Sequence, residues 1–184
     1  PFCNMWGYGT AGWGDAGIIV PWNTYVMTGD KEIIKENWQS MQKWIDFCTS
    51  QHDGQWTHIG AEPKCGDWLA YKEVDKRYVS YAYFAYSAAL MQKMAEIIGR
   101  SDEASKYGKL WKDIRNEFQQ RYITDGEINT GQDTQTAYLL ALHFNLIFDT
   151  QRQPAMDALR KNIIANDYKL STGFIGTGIL METL

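Results

Sequence analysis

Several classes of protein are excluded by what this sequence lacks. Cysteine occurs only at Cys3, Cys48 and Cys65, an odd number with no framework spacing, so free thiols are expected and redox chemistry says nothing about compartment. No run approaches the ~20 apolar residues of a membrane span, and no leader pattern opens the chain. The 18 basic residues against 22 acidic ones leave a net charge of −4. That balance offers no basic surface for nucleic acid or an anionic membrane. His52, His58 and Cys65 share one stretch, but their spacing matches no zinc pattern, and no metal or cofactor is expected. Gly173-Phe174-Ile175-Gly176 lacks the Lys-Ser/Thr and the preceding strand of a phosphate loop. Ser80 and Ser171 have no activating partner at motif spacing, so serine nucleophile chemistry has no support.

Aromatic rings, by contrast, are abundant, with 8 Trp and 11 Tyr in 184 residues. That length is one domain's worth, able to bury a sizeable core. Trp in loop-like settings also fits a carbohydrate-facing surface. The first such setting is Gly9 to Trp22, a glycine-spaced loop carrying Trp13 and Asp15 that passes straight into an apolar run. Gly9, Gly12 and Gly14 permit tight or left-handed turns. Asp15 stands where a helix cap belongs. A planar apolar ring beside a hydrogen-bonding carboxylate is also the pairing that grips a sugar ring.

The remaining pattern is helical. Ala16 to Thr28 predicts a helix with Pro21 near its first turn or kinking it, ended by Gly29-Asp30, which also caps the next. Ile33, Ile34, Trp38, Met41, Trp44, Ile45 and Cys48 recur at helical steps and predict an amphipathic helix. So short a break requires the two to run antiparallel. His52 to Lys76 shows neither helical nor strand period and carries Trp56 and Trp68, which reads as a long structured loop. A nearly all-apolar helix is predicted over Arg77 to Ile98, stopped by Gly99, and its partner over Ser101 to Tyr122. A minimal hairpin is predicted about Asp125-Gly126. Gln132 to Phe148 predicts another apolar helix, and Asp149 is placed as the cap of an amphipathic partner. Leu170 to Gly178 reads as a Gly-Thr loop before a helix at Ile179. Met91–Met94 and His143 are assigned to the core.

Buried and half-exposed helices thus alternate, with no fixed repeat length. The fold class is all-α, either a solenoid or an α/α toroid. Unequal, aromatic-rich loops at one end of the inner helices favour the toroid. In a toroid the loops before the inner helices meet at one mouth and bring Trp13, Asp15, Trp56, Asp67, Trp68, Gln132, Asp133 and Gln135 together. Sugar hydrolysis needs two carboxyls. Asp15, Glu62, Asp67, Glu73 and Asp75 qualify by type, and no spacing selects a pair.

Four blocks carry a resemblance. Gly12-Trp13-Gly14-Asp15-Ala16 with Val20-Pro21-Trp22 is the first, and Gly66-Asp67-Trp68-Leu69 the second. Thr134-Gln135-Thr136-Ala137-Tyr138 with Ala141-Leu142 follows, then Ser171-Thr172-Gly173-Phe174-Ile175-Gly176-Thr177. In this order and spacing they resemble the α-L-rhamnosidases of glycoside hydrolase family 78, across essentially the whole chain. The resemblance implies an (α/α)6 barrel and inverting hydrolysis of terminal α-L-rhamnosyl residues by a general acid and a general base. It implies Trp13 and Trp68 as walls of the rhamnose pocket, and Asp15 and Asp67 as pocket or supporting carboxylates. The acid glutamate of that family belongs to an Arg-Asp-Glu-Arg-like motif expected before Pro1, and the base to a Trp-Glu motif expected after Leu184. Neither motif is in the sequence, so no residue in 1–184 inherits a catalytic role.

Residues 1–184 are therefore expected to be part of a catalytic barrel domain, about half of its ring, cut at both ends. The expected partner is a rhamnose-containing glycan or glycoside, with the rest of the polypeptide needed to close the ring. Alone, the chain is expected to be inactive and poorly soluble, because an open inner ring exposes more apolar surface than the few hundred Å² (roughly) that a monomer tolerates. The alternatives are another α/α-toroid hydrolase or lyase, or a non-catalytic helical scaffold in which Trp13 and Trp68 are dispersed or buried.

Overall fold

The computed structural model describes residues 9–51, 66–124, 127–129 and 133–184. Its helices are α1 (Ala16–Thr28), α2 (Glu32–Ser50), α3 (Lys76–Ile97), α4 (Ser101–Tyr122), α5 (Gln135–His143), α6 (Asp149–Ala165) and α7 (Phe174–Thr183). Between α4 and α5 a short antiparallel pair, β1 (Ile123–Thr124) and β2 (Glu127–Ile128), sets Ile123 against Ile128. The predicted hairpin is present, although its tip lies outside the described residues.

The helices form hairpins in chain order, α1 with α2, α3 with α4 and α5 with α6. Within the set, α1, α3, α5 and α7 are neighbours in an inner row, and α2, α4 and α6 back onto it. This is the all-α arrangement of an α/α toroid, with three hairpins and one further inner helix, α7, packed on α5. Sequence explains the division. On α2 the buried residues Ile34, Trp38, Met41, Ile45 and Cys48 step by fours and threes along one stripe, the mark of a helix with one wet face. On α3 every residue from Tyr78 to Ala85 is buried, as befits a helix packed on α1, α2, α4 and α5.

Aromatic packing and a few long hydrogen bonds hold the rows together. Tyr78 packs on Phe118 and Tyr122, with ring centroids 5.0 and 4.9 Å away, joining α3 to α4. The Tyr78 hydroxyl donates to the Ala137 carbonyl at 2.7 Å, joining α3 to α5. Tyr86 lies flat on Phe144 at 4.0 Å. Met91 and Met94 are fully buried, as expected. Cys48 is a buried free thiol, while Cys3 and Cys65 lie outside the described residues. His143 is only half-buried: its Nδ1 lies 3.5 Å from Thr183 Oγ1, and burial pushes its pKa down.

Local signals account for several helix ends. Asp75 accepts from the Arg77 amide at 2.7 Å and starts α3. At the far end Gly99 takes a φ of 76° and the Arg100 amide returns to the Ala95 carbonyl at 2.8 Å, a left-handed C-cap. The cap position of α2 is Lys31, and Asp30, one residue before it, accepts from the Glu32 amide at 2.9 Å. Pro21 sits inside α1 and not in its first turn.

Four sequence expectations are corrected. Asp15 occupies the cap position of α1 but its side chain makes no cap hydrogen bond. The apolar stretch predicted as one helix from Gln132 to Phe148 is helical only over α5, because Thr134 caps it and Asn145 turns left-handed at φ 54°. Asp149 lies in the first turn of α6, not at its cap. That place belongs to Phe148, whose amide donates to Gln151 Oε1 at 2.6 Å. Finally α7 begins at Phe174, five residues earlier than the predicted Ile179, and so takes in half of the expected Gly-Thr loop.

Candidate functional site

Two buried carboxylates organise one end of the inner row. In the loop before α1, Gly9 and Gly12 take positive φ, and the amides of Trp13 and Gly14 both donate to the Thr10 carbonyl. The chain then turns Asp15 inward, where it is wholly buried. Its Oδ2 accepts from the Gly12 amide at 2.8 Å, and its Oδ1 accepts from Trp44 Nε1 at 2.9 Å and Ser87 Oγ at 2.6 Å. The loop is thereby tied to both α2 and α3. Gly14 is required for space and not for a turn: a Cβ there would lie 2.2 Å from the Trp44 ring. Burial pushes the Asp15 carboxyl above the usual carboxylate range, against the pull of its hydrogen bonds from Ser87, Trp44 and Gly12.

Asp67 plays the same part for the second loop. Its Oδ2 accepts from Thr136 Oγ1 and from the Gly173 amide at 2.8 Å. Its Oδ1 accepts from the amides of Ile175 at 2.7 Å and Gly176 at 3.3 Å. These amides open α7, where a helix has N–H groups without internal partners and favours a negative charge. Here the cap comes from another part of the chain. The backbones meet as well. The Phe174 amide donates to the Trp68 carbonyl at 2.9 Å, and the Lys72 amide to the Ser171 carbonyl at 3.3 Å. A Cβ on Gly173 would stand 2.2 Å from the Trp68 carbonyl oxygen, an approach open only to glycine. Gln135, buried at the head of α5, fastens the same strap: its Oε1 accepts from the Ser171 amide at 2.9 Å and its Nε2 donates to the Lys169 carbonyl at 3.1 Å.

The two posts push three rings outward. Trp13 is 40% exposed, Trp68 55% and Phe174 58%. Trp68 stacks on Phe174 at 5.3 Å with a 20° interplanar angle. Trp13 meets Trp68 edge-on at 6.2 Å and Phe174 at 6.5 Å. Trp13 and Trp68 are therefore brought together, with Asp15 and Asp67 behind them. Phe174 was not among the residues marked by sequence. Its block was, but with α7 starting later it fell in a loop with no assigned direction.

The other candidates go elsewhere or are not described. Asp133 faces α6, accepting from Asn162 Nδ2 at 2.9 Å. Glu73 is exposed, and Asp75 caps α3. Trp56, His52, His58, Glu62 and Gln132 lie outside the described residues. Among the described residues no group of three or more His, Cys, Asp or Glu is placed to hold a metal ion.

Chemically, such an assembly can serve as a binding surface. Exposed aromatic faces take the C–H face of a planar or ring-shaped ligand, and indole N–H groups supply donors at the rim. Both oxygens of Asp15 and both of Asp67 already accept hydrogen bonds from the protein. Both are buried, so neither presents an oxygen at the surface where the rings lie.

Comparison with known proteins bears on the family and the fold. The family model described as the bacterial alpha-L-rhamnosidase 6 hairpin glycosidase domain matches residues 1–184. A curated alpha-L-rhamnosidase of Streptomyces avermitilis is 39% identical over 97% of this chain, and one of Formosa agariphila is 34% identical over 95%. The chain spans only 17% and 19% of the lengths of those relatives. The crystal structure of the S. avermitilis enzyme complexed with L-rhamnose superposes with a TM-score of 0.87, covering 95% of this chain and 16% of that one. The native Aspergillus terreus enzyme gives 0.85 at 31% identity, covering 97% of this chain and 22% of that one. With a family match along its whole length and the same helical arrangement as these enzymes, the chain belongs to the bacterial α-L-rhamnosidase six-hairpin glycosidase family.

Proposed function

We propose that this chain supplies one wall of the sugar pocket of an inverting α-L-rhamnosidase, within a catalytic α/α-barrel domain that extends beyond it. The observation that carries the reading is the exposed group of Trp13, Trp68 and Phe174 at the loop end of the inner helices. The ligand of such a wall is a terminal rhamnosyl residue of a glycan or glycoside, whose deoxy carbon and C–H faces suit apolar rings. Hydrolysis with inversion needs an acid and a base on opposite sides of the scissile bond. The resemblance implies that those roles go to glutamates outside residues 1–184. Asp15 and Asp67 serve the pocket from behind. A scaffold with dispersed tryptophans is disfavoured by the 6.2 Å approach of Trp13 and Trp68.

The test uses the full-length protein. Release of rhamnose from an aryl α-L-rhamnoside is measured for the parent and for Trp13→Ala and Trp68→Ala, alongside quenching of Trp fluorescence by L-rhamnose. Each variant is expected to lose up to about 1.5–3 kcal/mol of binding, the worth of a large apolar side chain covered on contact, with its circular dichroism unchanged. Unaltered kinetics in both variants would refute the pocket role.

A further inference from the structure

Trp68 reaches the surface from a turn that has almost no support of its own. Its neighbour Leu69 stands in the left-handed region at φ 63°, and the turn closes with the Ala70 amide on the Asp67 carbonyl at 2.9 Å. Leu69 and Tyr71 are both exposed and give the turn no core to rest on. What fixes it comes from elsewhere in the chain: the Phe174 amide on the Trp68 carbonyl, the Lys72 amide on the Ser171 carbonyl, and the Asp67 side chain, which is buried and bonded at once to the first residues of α5 and α7. Phe174, the stacking partner of Trp68, is the first residue of α7 and lies between two residues whose amides Asp67 accepts. One carboxylate therefore acts on both members of the ring pair, Trp68 through the chain and Phe174 through the helix start.

We infer that Asp67 is a positioning residue for substrate binding: it touches no sugar, and acts by holding the Trp68 and Phe174 rings in one fixed pair. This rests on the pocket reading given above. The physical basis is the match of donors to acceptors. A carboxylate offers acceptor sites only, and Asp67 meets four donors, three of them helix-opening amides. Asparagine has the same shape, but its amide group turns two donors toward donors. Whichever oxygen is replaced, at least one helix-opening amide loses its acceptor, so the start of α7 is only partly capped and the pair, still joined by the Phe174 amide on the Trp68 carbonyl, is held less firmly.

The experiment is a double-mutant cycle in the full-length protein, reading KM and kcat for an aryl α-L-rhamnoside and the dissociation constant of L-rhamnose. Asp67→Asn is expected to raise KM and the dissociation constant between about ten- and a hundredfold, at most the loss carried by the Trp68 ring itself. The change in kcat is expected to be much smaller. In a Trp68→Ala background the same Asp67→Asn change should add less than about twofold, because the ring it positions is gone. If the two effects simply multiply, Asp67 does not act through Trp68 and the inference is overturned. A collapse of kcat with KM unchanged would overturn it as well, by making Asp67 part of the chemistry. Should Asp67→Asn fail to fold, Thr136→Val removes one donor from the same carboxylate and takes its place in the cycle, with a smaller effect in the same direction. If Trp68→Ala itself leaves binding unchanged, the pocket reading fails instead.

Discussion

At the scale of single residues, a carboxylate's job is decided by which donors its oxygens can reach. Asp15 looks like a helix cap because it precedes Ala16 after a glycine-rich loop. It faces the interior because Trp44 and Ser87, 29 and 72 residues further along, present donors there. No local signal encodes that choice. The closeness of Trp13 and Trp68 was legible chiefly through the four-block resemblance, which implied both as walls of one pocket, since a tryptophan in a loop by itself is as ready to be a core plug. Phe174 was not, because a single ring in a Gly-Thr stretch has no pattern to mark it. Asp15 also implies a pH dependence. Its folded pKa lies above the ordinary value, so the folded state binds this proton more readily than the unfolded chain does. Its contribution to stability is complete below the ordinary carboxylate range and is lost as pH rises through the shifted value. Thermal unfolding of full-length parent and Asp15→Asn between about pH 4 and pH 7 checks this. The parent should lose stability relative to the variant as pH rises, and parallel curves would contradict it.

At the scale of elements, boundaries set by near neighbours could be read and those set by distant ones could not. Asp75 and Gly99 bracket α3 within a residue or two of its ends, and both are visible in the sequence. The start of α7 is fixed by a carboxylate more than a hundred residues earlier. Ile179 was the first position where apolar spacing became plain, and the earlier turn had no cap of its own to announce it. The opening of α5 lies between these cases. Thr134 is fully buried and accepts from the Ala137 amide at 3.3 Å. Replacing it with alanine removes that acceptor and should destabilise the helix start by about 1 kcal/mol. Amide hydrogen exchange in the first turn of α5 would then quicken by roughly fivefold, while α3 and α4 keep their protection. Equal rates throughout would show that α5 does not depend on its cap.

At the scale of the whole molecule, the alternation of buried and amphipathic helices was the legible part; it left a solenoid or a toroid, and the unequal, aromatic-rich loops favoured the toroid. The inner row also carries apolar residues that nothing among the described residues covers. Val20, Val26 and Met27 on α1 and Met181 on α7 are exposed, as are Leu69, Tyr71 and Phe174 near the mouth. Surfaces of that kind drive association. Residues 1–184 produced alone should therefore bind a hydrophobic dye and elute above monomer size, and a clean dye-silent monomer would contradict this. The pinning of α7 by Asp67 has a consequence in time. The Asp67–Gly173 bond spans 106 residues, so it cannot close until synthesis has passed Gly173. At about 5–20 residues per second, the loop bearing Trp68 waits roughly 5–20 s for its clamp. During that interval α3 and α4 can pair, but the aromatic wall stays open, exposing rings to the chaperones that attend a nascent chain.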